Sequence, residues 1–171
     1  PDIDFGVVPL HIIVGENDYI DDDKIDLTAM QENLSSYKGK TSTSSPSPHE
    51  WENAFGDADV VFCITITSSL SGTYNSAVIA KDIYEHNHTG RKVYVLDSLS
   101  TGPEIALFIE KIAELIKAGF APDDIYKTLL EYKDKTHLYF SLASLNNFAK
   151  NGRISPVIAA GIGLLGVRVV G

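Results

Sequence analysis

Apolar positions in this chain fall into short runs whose spacing predicts alternating strands and helices. Residues 5–14 form an almost continuous apolar run rich in β-branched side chains, which favours a buried or edge strand, and Pro9 argues against a central position in a sheet. Residues 25–37 carry apolar side chains at helical spacing, and Gly39 marks the end of this predicted helix.

The middle of the chain has a strand–helix–strand rhythm. Residues 59–65 and 92–97 are short apolar segments typical of buried strands, and residues 72–87 between them have the length of a helix. Two strands joined by a helix favour parallel pairing. We therefore expect an α/β fold with a mainly parallel sheet flanked by helices.

Capping boxes, in which a hydroxyl side chain is followed three residues later by glutamate, indicate two helix starts. Ser47 and Glu50 form the first, with Pro48 at the first helical position. Thr101 and Glu104 mark a second helix, whose apolar spacing continues for about four turns. The last part of the chain predicts a helix from about residue 122, a strand over 136–142, a short helix over 144–150, an apolar helix over 155–165 and a strand from 167.

Composition and charge narrow the class of protein. The chain has 171 residues, 44% hydrophobic and 22% charged, with a formal net charge of −9. This is typical of a globular domain and unfavourable for binding nucleic acid or an anionic membrane. No apolar run has the ~18 to 20 residues that cross a bilayer, and the first residues lack the basic segment of a signal peptide, so we predict a cytoplasmic protein. Cys63, within an apolar strand, is predicted to be an inert core thiol.

Residues 64–77 carry the strongest functional signal, because an apolar strand leads through a hydroxyl-rich turn with Gly72 into a helix, without a charged residue. Such a turn presents helix N-terminal N–H groups and hydroxyls to one point, which suits an anionic head group. A second hydroxyl-rich segment, residues 43–48, precedes the first capping box. Since neither segment contains Lys, Arg or His, a carboxylate suits them better than a phosphate. The alternative for Ser47 and Ser71 is simple helix capping.

Two other functions are alternatives to a carboxylate-binding protein. A serine hydrolase would use Ser68, Ser69 or Ser71 as the nucleophile and His49 as the base, but the Gly-x-Ser-x-Gly elbow is absent. A phosphate- or sugar-binding module would need a polar cavity. Arg153, after a helix-stopping glycine, is a candidate contact for a ligand, a partner or a helix end.

Metal and nucleotide sites are not predicted. His86 and His88 lie at a polar helix end without a carboxylate or cysteine partner nearby, and residues 21–23 lack the glycine and glutamate of a calcium loop. Residues 161–166 have the glycine spacing of a dinucleotide fingerprint, but a predicted helix precedes it and a strand follows it, which is the reverse of the required order.

Five segments, taken in order, resemble the motifs of the DegV family over essentially the whole chain. They are Val8-Pro9-Leu10 with Tyr19-Ile20-Asp21, residues 43–48, residues 68–77, Val95-Leu96-Asp97-Ser98 and Asn151-Gly152-Arg153-Ile154-Ser155. Members of this family are two-lobed bacterial α/β proteins that bind one long-chain fatty acid, and some serve as the fatty-acid-binding subunit of fatty acid kinase. The resemblance implies a carrier rather than an enzyme, with no cofactor, whose partners are a long-chain fatty acid and the ATP-binding kinase subunit.

The resemblance also implies site residues. Thr43 and Ser69 would hold the fatty acid carboxylate, with help from Ser71 and Gly72, while Ser45 stands where the family motif has glutamine. Supporting or partner contacts are implied for Ser44, Thr73, Asp97, Ser98 and Arg153. Residues 1–135 would form the DegV-like N-terminal lobe and 136–171 the beginning of the second. Because the family's opening strand and most of the second lobe have no counterpart here, we expect a fragment with an incomplete site.

Overall fold

The computed structural model describes residues 3–142, 145–155, 157 and 169–170. Within these ranges the elements, in chain order, are β1 (His11–Val14), β2 (Asn17–Ile20), α1 (Leu27–Ser36), β3 (Thr41–Ser44), α2 (Pro48–Phe55), β4 (Val60–Thr65), α3 (Thr73–Asn87), β5 (Lys92–Asp97), α4 (Pro103–Lys117), α5 (Pro122–Lys133), β6 (Ser141–Leu142), α6 (Asn146–Lys150) and β7 (Val169–Val170). The chain divides into two compact units. The first comprises Pro1–Val8 and Ser45–Leu138, and the second comprises Pro9–Ser44 and Tyr139–Gly171.

The first unit is built on the parallel pair β4 and β5, which run in register from Val60 opposite Lys92 to Thr65 opposite Asp97. Because successive side chains of a strand point to opposite faces, the pair contributes to two apolar clusters. One cluster packs under α2 and α3 and contains Trp51, Phe55, Cys63, Ala77, Ala80, Tyr84, Val93 and Val95. The other packs under α4 and α5 and contains Leu96, Phe108, Ile112, Leu115, Ile125 and Leu129. The predicted α/β class and the strand–helix–strand unit are confirmed.

One of the two predicted capping boxes is confirmed and the other is wrong. At α2 the backbone N–H of Ser47 donates to Glu50 Oε2 at 2.8 Å, and the Glu50 N–H donates to Ser47 Oγ at 3.3 Å. At α4 the residue before the helix is Gly102, whose φ is +53°, and no side chain caps the helix. Thr101 lies one residue too early to cap, because the chain enters α4 through this left-handed glycine.

Cys63 lies in the cluster under α3, only 4% exposed. Burial in these apolar surroundings raises the pKa of its thiol to about 12, because the charged thiolate would lose its hydration. The side chain is therefore protonated at neutral pH. The prediction of an inert core thiol is confirmed.

The second unit contains a three-stranded antiparallel sheet in the order β2-β1-β3. The expectation for residues 5–14 was wrong in two respects, because only His11–Val14 form a strand, and that strand is central. Pro9 lies before the strand and so removes none of its hydrogen bonds. Gly15, with φ +66°, begins the two-residue connection to β2, a short hairpin loop that favours glycine. The strand β3 overlaps the hydroxyl-rich segment 43–48, for which the sequence predicted no strand.

Helix α1 begins after Asp26, whose carboxylate accepts the Ala29 N–H at 2.9 Å. It ends at Ser36, and the next residue, Tyr37, is already extended. Gly39 is therefore not the helix stop that the sequence predicted. It lies against the ring of Tyr37, and a side chain at position 39 would collide with that ring.

The remaining elements of the second unit are short. β6 pairs antiparallel with β7, and only the last two residues of the predicted strand 136–142 adopt strand structure. The predicted helix 144–150 is observed as Asn146–Lys150. The glycine motif at 161–166 and nearly all of the predicted helix 155–165 lie outside the described residues. No helix within the described ranges is both long enough and apolar enough to span a bilayer.

Candidate functional site

The segment between β4 and α3, which we call the hydroxyl turn (residues 66–72), is folded around one threonine. The carbonyl of Thr67 accepts the N–H groups of Leu70 at 3.2 Å and Ser71 at 3.3 Å, and its hydroxyl accepts the Ser69 N–H at 3.3 Å. Thr67 is buried, whereas Ser68 and Ser69 are exposed. The turn is therefore held from within and presents two hydroxyl side chains to solvent.

Helix α3 begins at the end of this turn without a side-chain cap on Gly72. The Ser71 hydroxyl lies 2.7 Å from the Thr73 hydroxyl and accepts the Thr73 N–H at 3.3 Å. A methyl group at Gly72 would lie 3.4 Å from Ser45 Oγ, so the glycine leaves the start of the helix uncovered beside another hydroxyl. The first turn of an α-helix has unpaired N–H groups and a partial positive charge, which favour an anion.

The segment that follows β5, which we call the β5 loop (residues 98–102), is joined to the hydroxyl turn by a carboxylate. Asp97 Oδ1 accepts two backbone N–H groups, from Ser68 and from Leu99, each at 3.1 Å. The Ser98 hydroxyl, which is buried, donates to the Ser100 carbonyl at 3.1 Å and accepts the Ser100 N–H at 3.1 Å. Turn and loop thus form one hydrogen-bonded structure at the carboxyl ends of two parallel strands, where open α/β sheets bind ligands.

The first unit brings six of the predicted site residues together in this structure: Ser69, Ser71, Gly72, Thr73, Asp97 and Ser98. They differ in their partners. The side chains of Asp97 and Ser98 bond to backbone groups, and Thr73 is buried with its hydroxyl against Ser71. The Ser69 hydroxyl has no hydrogen bond within the described part of the chain and is free to bind a ligand.

The other predicted residues belong to the second unit. Thr43 and Ser44 are the last two residues of β3, both exposed, and pair with Ile12 and His11 of β1. Arg153 is exposed beyond α6, and its guanidinium donates to the Asn151 carbonyl at 2.7 Å. Thr43 therefore lies in regular sheet, which the sequence did not predict.

The hydroxyl turn is electrically neutral, whereas the opposite end of β5 is charged. There Lys92 Nζ donates to Asp123 Oδ1 at 2.8 Å, and the Tyr94 hydroxyl donates to the same oxygen at 2.6 Å. The hydrogen bond to Asp123 raises the pKa of Lys92 to about 12, and the bonds from Lys92 and Tyr94 lower the pKa of Asp123. The cation of this strand, Lys92, thus lies at its amino end, whereas the charged group of the strand at the hydroxyl turn is the Asp97 carboxylate.

The groups required for hydrolysis or metal binding are not assembled in the described residues. His49 Nε2 lies 3.2 Å from Asn53 Nδ2 on its own helix, and none of Ser68, Ser69 and Ser71 forms a hydrogen bond with a histidine in the ranges that the structure covers. Among the same residues, no three His, Cys, Asp or Glu side chains are grouped so as to hold a metal ion.

Two residues of the site were missed by the sequence analysis. Thr67 holds the hydroxyl turn, and its N–H donates to the Ser100 carbonyl at 2.8 Å. Leu99, in the β5 loop, has a left-handed backbone with φ +55°. In the sequence, Thr67 is one of several hydroxyl residues in this segment, and nothing marks it as the residue that holds the turn. Nothing in the local sequence indicated the conformation of Leu99.

The fold is that of an α/β protein with a hydroxyl-rich turn at the carboxyl ends of two parallel strands, and comparison with known families identifies it further. Residues 2–171 match the family model described as "Uncharacterised protein, DegV family". The chain belongs to the DegV family.

Relatives of known sequence carry the same domain. A DegV domain-containing protein of Streptococcus pneumoniae is 40% identical over 167 residues, which are 98% of this chain and 59% of the relative. One from Streptococcus gordonii is 39% identical over 170 residues, 99% of this chain and 60% of the relative. The chain thus spans about three-fifths of the length of these relatives.

Solved structures share the fold. A DegV family protein from Eubacterium eligens loaded with heptadecanoic acid superposes with a TM-score of 0.89 at 40% identity, covering 96% of this chain and 59% of that one. The Streptococcus pneumoniae Fatty Acid Kinase (Fak) B3 protein loaded with linoleic acid gives a TM-score of 0.91 at 40% identity, covering 96% and 58%. Both of these similar proteins were solved with a fatty acid.

Proposed function

We propose that the protein to which this chain belongs binds a long-chain fatty acid, holds its carboxylate at the hydroxyl turn, and presents it to a kinase subunit that makes an acyl phosphate. The similar Eubacterium eligens and Streptococcus pneumoniae structures, loaded with heptadecanoic and linoleic acid, support the ligand class. The kinase step is supported by the resemblance to the Fak B3 protein. The protein acts in this proposal as a cytoplasmic carrier, without a cofactor or a catalytic residue.

One observation carries the proposal: the Ser69 hydroxyl is exposed and lacks a partner in the described residues, on a turn whose backbone is fixed by Thr67. A donor carried on a fixed backbone binds an anion at a lower ordering cost than a donor on a mobile loop. The neighbouring N-terminus of α3, with glycine at the cap position, adds N–H groups and a favourable dipole.

The absence of a fixed cation from the hydroxyl turn suits a carrier. A bidentate arginine would grip the carboxylate strongly, whereas neutral donors bind it less tightly and leave it available for reaction. Affinity then comes mainly from the acyl chain, because each buried methylene contributes ~0.8 kcal/mol. The head group fixes the orientation of the fatty acid, and the tail supplies most of the binding energy.

The proposed roles are those that the family resemblance implies. Ser69 donates to the carboxylate, Ser71 and Gly72 shape the start of α3, and Thr43 contributes a second hydroxyl from the end of β3. The proposed supporting or partner contacts are Ser44, Thr73, Asp97, Ser98 and Arg153. We also keep, as a proposal, the family's division into a lobe over residues 1–135 and a second lobe that begins at 136.

The ligand is identified by extraction. The full-length protein is purified from its own cells, denatured, and its bound small molecules are analysed by mass spectrometry. A long-chain fatty acid at about one per protein is expected. A sugar phosphate would instead support the alternative of a phosphate- or sugar-binding module. A protein that is empty and does not bind added fatty acids would contradict the proposal.

The head-group contacts are tested by substitution in the full-length protein. Ser69→Ala and Thr43→Ala should each weaken fatty acid binding by ~1 to 3 kcal/mol, since each removes a hydrogen bond to a charged group. Competition against a fluorescent fatty acid measures the change. Ser35→Ala is the matched control, because Ser35 is an exposed serine whose hydroxyl bonds only within α1. Unchanged affinity in Ser69→Ala, or labelling of a serine in the turn by a fluorophosphonate, would refute the carrier site.

A further inference from the structure

Leu99 combines a strained backbone with an exposed apolar side chain. Its φ of +55° is the only positive value at a non-glycine residue in the part of the chain that the structure describes. The residue is 60% exposed. A branched residue in the left-handed region is a genuine outlier, and such strain persists only where the surroundings impose it.

The surroundings of Leu99 impose its conformation from both sides. The N–H of Leu99 donates to Asp97 Oδ1, and the Ser98 side chain bonds reciprocally to the N–H and carbonyl of Ser100. These bonds fix the backbone on either side of Leu99 without engaging its side chain. Glycine would adopt the same backbone at lower cost, so what leucine adds at this position is apolar surface.

Leu99 lies beside the hydroxyl turn. The N–H groups of Ser68 and Leu99 donate to the same oxygen of Asp97, so their nitrogens are no further apart than the two 3.1 Å bonds placed end to end. The next residue after Ser68 is Ser69, the exposed hydroxyl of the proposed site. The backbone that carries this exposed apolar side chain is thus attached to the hydroxyl turn through Asp97.

We propose that Leu99 contacts the first methylenes of the bound fatty acid, next to its carboxylate, and is a specificity-determining residue of the site. This inference rests on the proposed function. A carboxylate at the hydroxyl turn places the adjoining carbons near the β5 loop, and Leu99 removes them from water. Short hydrophilic carboxylates have no hydrocarbon to offer this side chain, so the contact favours lipid acids.

The test is Leu99→Asn in the full-length protein, because asparagine tolerates a left-handed backbone and is polar. Dissociation constants are measured by competition for saturated acids of 14, 16 and 18 carbons. Loss of part of a leucine contact should weaken binding roughly 3- to 10-fold. The loss should be equal for all three acids, because the contact lies at the carboxylate end. The thermal midpoint without ligand should stay close to that of the wild type.

Leu107→Asn is the matched control, since Leu107 is an exposed leucine on α4 and should leave affinity unchanged. Leu99→Gly relieves the backbone strain and should show the same loss of affinity. This variant tests the inference if the asparagine variant does not fold. Unchanged affinity, or a loss that grows with acyl length, would overturn the inference. Unchanged affinity with slower transfer by the kinase would also overturn it and would assign Leu99 to the partner. If the wild type binds no fatty acid, the proposed function itself fails.

Discussion

The hydroxyl turn and the β5 loop follow neighbouring parallel strands and are built from similar residues, yet they use their polar side chains differently. At the end of β5 and in the β5 loop, the side chains of Asp97 and Ser98 bond to backbone groups of the protein. In the hydroxyl turn, Ser69 is exposed and unpartnered within the described ranges. Residue type alone therefore does not show whether a side chain supports the backbone or is available to a ligand. The hydrogen bonds that the side chain makes within the protein do show this. The comparison predicts that stability losses and binding losses will rank in opposite orders.

The largest loss of stability is expected for Ser98→Ala. This change leaves the N–H of the buried Ser100 without its acceptor, which should lower the free energy of unfolding by ~2 kcal/mol. Urea denaturation measures the change. Ser100→Ala is the control, because the Ser100 hydroxyl is buried and has no hydrogen-bond partner in the described structure, so its removal should cost little. Equal losses in the two variants would contradict this assignment.

A smaller loss is expected for Asp97→Ala, which removes the common acceptor of the Ser68 and Leu99 N–H groups. Both groups lie near solvent, so water replaces part of the lost bonds, and the free energy of unfolding should fall by ~1 to 2 kcal/mol. Fatty acid binding should weaken as well, because the turn loses its attachment to β5. Asp97→Asn keeps an acceptor oxygen and should retain most of both properties. If Asp97→Ala changed neither the free energy of unfolding nor fatty acid binding, the turn would be fixed by other contacts.

The smallest effects on stability are expected inside the hydroxyl turn. Ser71→Ala loses one neutral, partly buried hydrogen bond to Thr73 and should cost ~0.5 to 1 kcal/mol. Ser69→Ala should leave the free energy of unfolding unchanged while weakening fatty acid binding most. Thermal unfolding and competition binding, measured on both variants, test this reversal. If Ser71→Ala impaired binding more than Ser69→Ala, Ser71 would be the main carboxylate donor.

Elements with local signals were predictable from the sequence. The α2 capping box works because Ser47 and Glu50 are three residues apart, and α3 between two apolar strands is part of a regular α/β rhythm. Strand β3 was missed, because its hydroxyl-rich residues carry no alternating pattern and their pairing with β1 depends on a distant segment. The capping box predicted at Thr101 and Glu104 does not form, because the left-handed Gly102 shifts the start of α4 by one residue.

The candidate site was predictable in position but not in the roles of its residues. The motif around Ser69 gave the turn, because a hydroxyl run between strand and helix is visible in the sequence. That Asp97 supports this turn depends on a hydrogen bond to Ser68 between two different strand ends, which only the folded chain brings together. The left-handed Leu99 follows from the same bonds and is equally invisible in the sequence.

The single thiol of the chain, that of Cys63, can report on opening motions of the sheet. It sits on β4 beneath α3, 4% exposed, and the chain has 1 cysteine. A thiol reagent can modify it only when the packing around this buried side chain opens, so the modification rate in native buffer reports how often that packing opens. Any guest that binds the closed form must slow that reaction by mass action. Ligand occupancy can thus be followed by chemistry at a side chain outside the proposed carboxylate site.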